Sequence, residues 1–446
     1  MRVSVVGTGY VGLVSGACLA DVGHACTCVD IDGAKVANIN AGKPPIHEAG
    51  LEEILRRNLA VRLAATTDLR AAVHATELTL IAVGTPFDGA QIDLRYVRQA
   101  AHEIGVALKD KPGYHVVVVK STVVPGTTDD VVLPILEQAS GKRAGADFGV
   151  GMNPEFLTEG VAVRDFMRPD RIVLGGIDER TIDTLASLYE PFRGVPVIRT
   201  NNKTAEMIKY ASNATLATLI SFSNEIGNLC AALGEVDVAD VLAGVHLAHY
   251  FTSVLEDGRR VEAPITSFLA AGCGYGGSCL PKDVKALSAY GMSRGEPMAL
   301  LDAVTRINQA QPTRIVRLLR DRLKQLAGAR ISVLGLAFKP ETDDVRESPA
   351  LTIIRTLVEH GAVVKAYDPV AKQTARAALA EVEVRFVDDL NAALQDVDAV
   401  VLATRWEEFR RVPALLASSP DAPLLVDGRR LLEPRSYRRY AGIGRS

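Results

Sequence analysis

The sequence predicts an α/β protein in which two doubly wound parallel-sheet domains are joined by a helical middle containing one long helix. Three observations predict it. Short apolar runs alternate with helix-compatible segments over the first 200 residues, an unbroken run rich in Ala, Ile, Leu, Asn and Ser follows, and strand-like runs resume near residue 330. A chain of 446 residues, 48% hydrophobic and 23% charged, has ordinary core material for two or three domains. The expected division is 1–200, 201–300 and 301–446.

Taken in order, a strand at 3–6 runs into Gly7-x-Gly9-x-x-Gly12, which opens a helix, and a second strand at 25–30 ends in Asp30. In that context the triplet is a dinucleotide fingerprint. Glycines let the backbone approach a pyrophosphate at a helix N-terminus, and an acid at the end of the second strand accepts from the ribose 2′-hydroxyl, which favours NAD over NADP. Further strands are expected at 78–83, 116–120, 148–152 and 172–175, all in one parallel sheet. The proline-free run from 204 to about 234 reads as the long helix, apolar enough to require a packing partner. Residues 245–282 read as loop-rich and 297–326 as helical. Strands then follow at 330–335, 363–368, 398–403 and 424–427.

The two ends mirror each other. Arg2-Val-Ser-Val-Val-Gly7 and Arg330-Ile-Ser-Val-Leu-Gly335 both begin a strand, and both lead through a helix to a strand ending in an acid, Asp30 or Asp368. Both sheet domains therefore read as Rossmann-like. The second lacks the glycine triplet and offers Lys339, Arg346 and a Ser348-Pro349 helix start, which suit a phosphorylated ligand other than a dinucleotide.

Net charge is −3 with both signs dispersed, so no nucleic-acid footprint and no polybasic membrane patch are expected. The chain opens directly into a strand, and no apolar run is expected to reach transmembrane length, which points to a soluble cytoplasmic protein. The six cysteines read as reduced thiols. Five read as packing residues; Cys26 and Cys28 share a strand face, but no second Cys/His pair accompanies them, so no metal is expected. The sixth differs. Gly274-Tyr-Gly-Gly-Ser-Cys-Leu-Pro-Lys-Asp283 sets the Cys279 thiol in a glycine-lined turn beside Lys282 and Asp283, a candidate nucleophile.

Several ordered motifs carry a resemblance over residues 1 to about 430: Gly7-Thr-Gly-Tyr-Val-Gly12, Val83-Gly-Thr-Pro86, Lys120-Ser-Thr122, Asn153-Pro-Glu-Phe-Leu-x-Glu159, Ala205-Glu-Met-Ile-Lys-Tyr-x-x-Asn213, Gly274 to Asp283, and Phe338-Lys-x-x-Thr-Asp-Asp-x-Arg-Glu-Ser348. The chain resembles the nucleotide-sugar 6-dehydrogenases. The resemblance implies four-electron oxidation of a sugar CH2OH to a carboxylate with two NAD, through an aldehyde, a thiohemiacetal and a thioester on Cys279, with UDP-glucose the expected substrate. It implies Lys209 and Asn213 as oxyanion donors, Glu159 in acid/base or water handling, and Asp283 and Thr122 positioning water or the Lys209 ammonium. Without the motif, the spacing of Lys209 and Asn213 reads as a surface lysine and a packing asparagine. Implied cofactor contacts are Gly7, Gly9, Val11, Gly12, Asp30, Lys35, Thr85, Thr122, Glu159, Lys282 and Arg346, the last with an ion-pair reading as alternative. Implied substrate contacts are Glu155, Lys209, Asn213, the loop Phe268, Leu269, Ala270, Ala271 and Gly272, then Gly276, Lys339 and Arg429.

The acids Glu155 and Glu159 align on one face only if a helix starts between them. The sequence departs from the family between Gly244 and Ala271. Tyr250 to Arg260 replaces a short Arg-Ile-Gly segment whose arginine reaches a neighbouring subunit's substrate, Ala263 falls where that arginine would, and Arg259 and Arg260 are candidate replacements. A UDP-sugar partner and a homodimer or higher oligomer through the long helix are expected. Alternatives are the same chemistry on GDP-mannose or a UDP-N-acetylhexosamine, a two-electron 3-hydroxyacid-type dehydrogenase, and a non-catalytic nucleotide-sugar sensor.

Overall fold

The computed structural model describes residues 1–417 and 422–445; the end of the expected 301–446 domain therefore lies outside the described residues. The chain forms two compact units, Met1–Ser212 and Asn213–Ser446.

The first unit is built on eight strands: β1 (Arg2–Val6), β2 (Ala25–Val29), β3 (Leu63–Thr66), β4 (Leu78–Ile81), β5 (His115–Val119), β6 (Phe148–Met152), β7 (Ile172–Gly176) and β8 (Val197–Thr200). Their spatial order is β3-β2-β1-β4-β5-β6-β7-β8. The first six follow the 3-2-1-4-5-6 order of a dinucleotide-binding sheet, with parallel pairing throughout. The central strand β5, His-Val-Val-Val-Val, is buried along its whole length, as a parallel strand covered on both faces must be. The expectation of one parallel sheet fails at β7, which pairs antiparallel to β6 through Gly151–Gly176 and Met152–Gly175. Between those strands lie an irregular stretch and only a six-residue helix, Ala162–Met167, so there is no long crossover helix to carry the chain back in parallel. Strands β3 and β8 were not anticipated: β3 is only four residues, two of them alanine, and β8 is largely exposed.

Helix Tyr10–Asp21 follows β1 and buries every residue from Gly12 to Ala20. Helix Asn202–Leu233 starts in this unit and continues into the second. By length and composition it is apolar enough to cross a membrane, with a window of mean hydropathy 1.2, which corrects the expectation that no run qualifies. Its first turns nevertheless carry Glu206 and Lys209, both buried and both bonded to protein groups.

The second unit begins with the rest of that helix and helix Val238–His246. Within the expected loop a small antiparallel hairpin forms from β9 (Thr252–Val254) and β10 (Arg260–Glu262). Helices Leu280–Ser293 and Ala299–Leu323 lead to a second sheet of β11 (Arg330–Leu334), β12 (Val363–Tyr367), β13 (Val384–Phe386), β14 (Ala399–Leu402), β15 (Leu424–Asp427) and β16 (Tyr440–Gly442). This sheet is wholly parallel in the order β13-β12-β11-β14-β15-β16, so it repeats the topology of the first six strands. Ser348 caps helix Pro349–Glu359 through the Ala350 N–H, with Pro349 at the first position.

Candidate active site

The glycine turn after β1 is shaped by close approach. Gly7 has φ +98°, and a Cβ on Gly12 would lie 1.9 Å from the Gly7 carbonyl oxygen, so backbone packs on backbone. A Cβ on Gly9 would meet nothing within 4 Å. Gly9 is also the N-cap of helix Tyr10–Asp21 and supplies no side-chain acceptor, so the first-turn N–H groups face that open space. A cradle of this kind fits a pyrophosphate. At the end of β2, Asp30 accepts from the Thr8 N–H at 2.9 Å, the Thr8 hydroxyl at 2.5 Å and the Asp32 N–H at 3.0 Å. Burial works against its charge, but these donors outweigh it and hold the carboxyl below its ordinary value. A four-site acceptor with three donors retains capacity for a ribose hydroxyl. Val11 and Lys35 flank the same turn and are half-buried, and Thr85 donates to the Thr122 carbonyl at 2.8 Å beyond the C-terminal ends of β4 and β5.

On the same unit Glu155 and Lys209 form an ion pair of 3.0 Å with both side chains about 95% buried, at 5% and 4% exposure. Burial opposes the Glu155 charge, yet the Lys209 ammonium, the Leu157 N–H and Lys120 more than compensate, and its carboxyl stays low. Lys209 also lies 5.6 Å over the Phe156 ring. No helix begins between Glu155 and Glu159; the first helix after β6 is Ala162–Met167, so the two acids are not aligned on one helical face. The reason is local: Glu155 turns back to accept from the Leu157 N–H at 2.6 Å, a short-range bond that competes with helical pairing. Glu159 is buried just beyond that turn.

In the second unit, the glycine-lined turn ends earlier than expected. Helix Leu280–Ser293 starts immediately after Cys279, which accepts the first helical bond from the Asp283 N–H at 2.9 Å. The thiol therefore sits at the positive end of a helix dipole. It is also the one cysteine with partial exposure; the other five are buried, and burial pushes the Cys18 and Cys28 thiols up to about 12. Asp283, 1% exposed, accepts from Asn213 at 2.6 Å and from Lys282 at 2.6 Å. One buried carboxylate thus holds both an amide and an ammonium one helical turn from the thiol.

A cavity of about 230 Å³ in this unit is lined by Phe268, Ala270, Ala271, Gly272, Gly276, Lys339 and Arg429 among others. Leu269 of the same loop is not part of that lining; it is buried, and its carbonyl accepts from His246 at 3.2 Å. Arg429 is anchored by bonds to the carbonyls of Ala403 at 2.6 Å and Gly274 at 2.8 Å, while its Nη2 is buried without a protein acceptor. Such a donor leaves a place for an acceptor that the chain does not supply, a water or a ligand atom. Arg346 lies outside this lining, 64% exposed and paired with Asp344 at 2.7 Å. Arg259 pairs with Asp257 next to the hairpin, and Arg260 is exposed on β10.

Residues 1–193 match the NAD binding domain of the UDP-glucose/GDP-mannose dehydrogenase family, residues 203–310 its central domain and residues 332–434 its UDP binding domain. The chain belongs to that family. It is 43% identical to the UDP-glucose 6-dehydrogenase of Haloferax volcanii over 99% of this chain and 100% of that one. It is 38% identical to the GDP-mannose 6-dehydrogenase of Pseudomonas syringae over 96% and 95% of the two chains. Among solved structures, a UDP-glucose dehydrogenase from the archaeon Pyrobaculum islandicum superposes with a TM-score of 0.90 at 41% identity, covering 100% of this chain and 98% of that one.

As a member of the UDP-glucose/GDP-mannose dehydrogenase family, the protein is an NAD-dependent oxidoreductase. Three groups near its named residues escaped the sequence reading. Lys120 is buried, donates to Asn153 at 2.9 Å and lines a 290 Å³ cavity with Glu155 and Phe156. Burial lowers its ammonium to about 8, with Lys209 adding to the shift and Glu155 opposing it. Glu206, one turn before Lys209, accepts from the Gly126 N–H at 2.6 Å and from the Thr128 N–H and hydroxyl at 2.8 and 2.7 Å. Tyr189 donates to Asn153 at 2.5 Å. Lys120 and Glu206 both stand in motifs of the sequence, Lys120-Ser-Thr122 and Ala205 to Asn213, but with no assigned role; Tyr189 stands in none.

Proposed function

We propose that this dehydrogenase oxidises UDP-glucose to UDP-glucuronate, converting CH2OH and one water, with two NAD, into a carboxylate, two NADH and three protons. The observation that carries the reading is the buried Asp283 holding Asn213 and Lys282 one turn beyond Cys279 at a helix N-terminus. A two-electron dehydrogenase has no use for a partly exposed thiol in that setting. The glycine turn and Asp30 would hold NAD, which would supply the hydride acceptor for two successive oxidations. Between them the Cys279 thiol adds to the aldehyde carbon, forming a C–S bond and placing the proton on the former carbonyl oxygen. The tetrahedral centre so formed loses the second hydride to become a thioester, which a bare aldehyde cannot do. Water handled by Glu159 then adds, the C–S bond breaks and the thiol is restored.

Lys209 and Asn213, four residues apart on one helix, act as donors to the alkoxide and thiohemiacetal oxygens, a role in which each is worth about 3–4 kcal/mol. The 230 Å³ cavity, with its orphaned Arg429 donor and Lys339, supports binding of the nucleotide diphosphate by the second sheet domain. The exposed Phe222, Leu229 and Leu233 on the long helix support self-association of a cytoplasmic homo-oligomer.

The test is a substrate panel. UDP-glucose should reduce NAD, and a Cys279 adduct should be trappable by mass spectrometry; reduction by GDP-mannose or UDP-N-acetylglucosamine alone would reassign the sugar. The Pseudomonas relative makes GDP-mannose the first competitor to include. Full turnover by Cys279→Ala would eliminate the covalent route.

A further inference from the structure

Glu48 has no part in the chemistry above, yet it is buried, with 7% exposure, in the irregular stretch between helices Gly33–Asn40 and Leu51–Asn58. A buried carboxylate persists only where donors meet it. Its Oε2 accepts from the Tyr10 hydroxyl and from the Gly160 N–H at 2.8 Å, and its Oε1 accepts from the Val163 N–H at 3.3 Å. The Gly160 N–H is shared with the Tyr10 oxygen at 2.5 Å. Two separate pieces of the unit are thereby tied together. Tyr10 is the first residue of the helix that opens at the glycine turn, and the Gly160 N–H belongs to the peptide bond leaving Glu159. Gly160 has φ +83°, a left-handed conformation that gives the chain its sharp bend at this point.

We propose that Glu48 and Tyr10 form a strut that fixes the Glu159 peptide against the dinucleotide turn, making Glu48 a positioning residue for the water step. This rests on the reading of Glu159 as the group that handles water in thioester cleavage. The geometry makes the consequence specific to one half of the reaction. Loosening the strut releases the backbone that carries Glu159 while leaving Cys279, Lys209 and Asn213 untouched, so hydrolysis slows and oxidation does not. A displacement of about 1 Å at a reacting group costs on the order of a hundredfold in rate.

The experiment uses the full chain with NAD and UDP-glucose, comparing Glu48→Gln, Tyr10→Phe and Glu159→Gln. Rapid mixing reads the NADH burst and intact mass reads the species on Cys279. Glu48→Gln should give a burst of two NADH per site, a thioester mass on Cys279 and a steady state about tenfold to a hundredfold slower. Tyr10→Phe, which removes a single hydroxyl, should give the same pattern more weakly. A burst and adduct in Glu159→Gln but in neither strut variant overturns the strut alone. Absence of both in Glu159→Gln overturns the reading of Glu159 and the strut with it. Loss of rate that tracks loss of folded protein in thermal melts, with no adduct, assigns Glu48 and Tyr10 a purely structural role and also overturns the proposal.

Discussion

The turns after β1 and β11 start from the same design and end with opposite uses. Each strand leads into a glycine with positive φ, Gly7 at +98° and Gly335 at +87°, and each sheet has an acid at the end of the neighbouring strand. In the first unit the acid, Asp30, is half-buried and the position beside Gly9 is open. In the second, Asp368 is 2% exposed and accepts from five donors: the N–H groups of Leu336, Ala337, Val370 and Ala371 and the Trp406 indole. Gly7 and Gly335 are both hemmed in, by the Ala82 carbonyl oxygen at 2.6 Å and by Thr404 at 2.4 Å from where a Cβ would be, but at the position matched to Gly9 the second turn has Ala337, fully buried and accepting the Thr404 hydroxyl through its carbonyl. One turn is left open for a ligand; the other is closed by its own side chains. Topology alone therefore does not confer dinucleotide binding, and side-chain saturation of the acid marks the difference.

Substitutions at matched positions put this contrast under strain. The largest effect is expected from Gly12→Ala, whose Cβ meets backbone at 1.9 Å; stability should fall by about 3 kcal/mol and NAD-dependent activity should vanish, measured by denaturant unfolding and NADH formation. Asp368→Asn should follow. An amide presents donors to donors in a buried site, so about 2–3 kcal/mol should be lost in unfolding while the KM for NAD stays unchanged in the folded fraction. Asp30→Asn should do the reverse, raising the KM for NAD about tenfold, or about 1.4 kcal/mol, with little change in melting. If the two variants behave alike, the open and closed turns are not functionally distinct.

The smallest signal concerns the first unit's own closed carboxylate. Burial raises Glu206 from an ordinary value of 4.5 to about 7 despite its three donors. Between those values the folded chain keeps a proton that the unfolded chain releases, so this group's contribution is full below pH 4.5 and is lost as pH rises through 7. Glu206→Gln should flatten the fall in melting temperature between pH 5 and 7.5 by about 2–4 °C, read by scanning calorimetry.

What was legible in the sequence was local. The glycine triplet, the cysteine turn and the long apolar run each declare themselves within a few residues, because their physics is that of a turn, a helix start or one helix face. The repeat of Arg2–Gly7 in Arg330–Gly335 likewise disclosed two sheets of one topology. The reversed β7 was hidden because β6 and β7 are both buried along their whole length, so neither shows the in–out alternation of an antiparallel pair with one solvated face. The absence of a helix between Glu155 and Glu159 was hidden by one short bond from Glu155 to the Leu157 N–H. Glu48 and Glu206 were hidden because their partners lie far along the chain, at Gly160 and at Gly126 and Thr128, and no spacing rule reaches that distance.

In the proposed reaction one protein carries a sugar alcohol through two oxidations with a sulfur-bound intermediate between them. The most direct measurement is the number of NADH formed per molecule of limiting UDP-glucose consumed to completion, with the product identified. Two NADH and UDP-glucuronate are expected. One NADH per sugar, with an aldehyde or ketone as product, would contradict it.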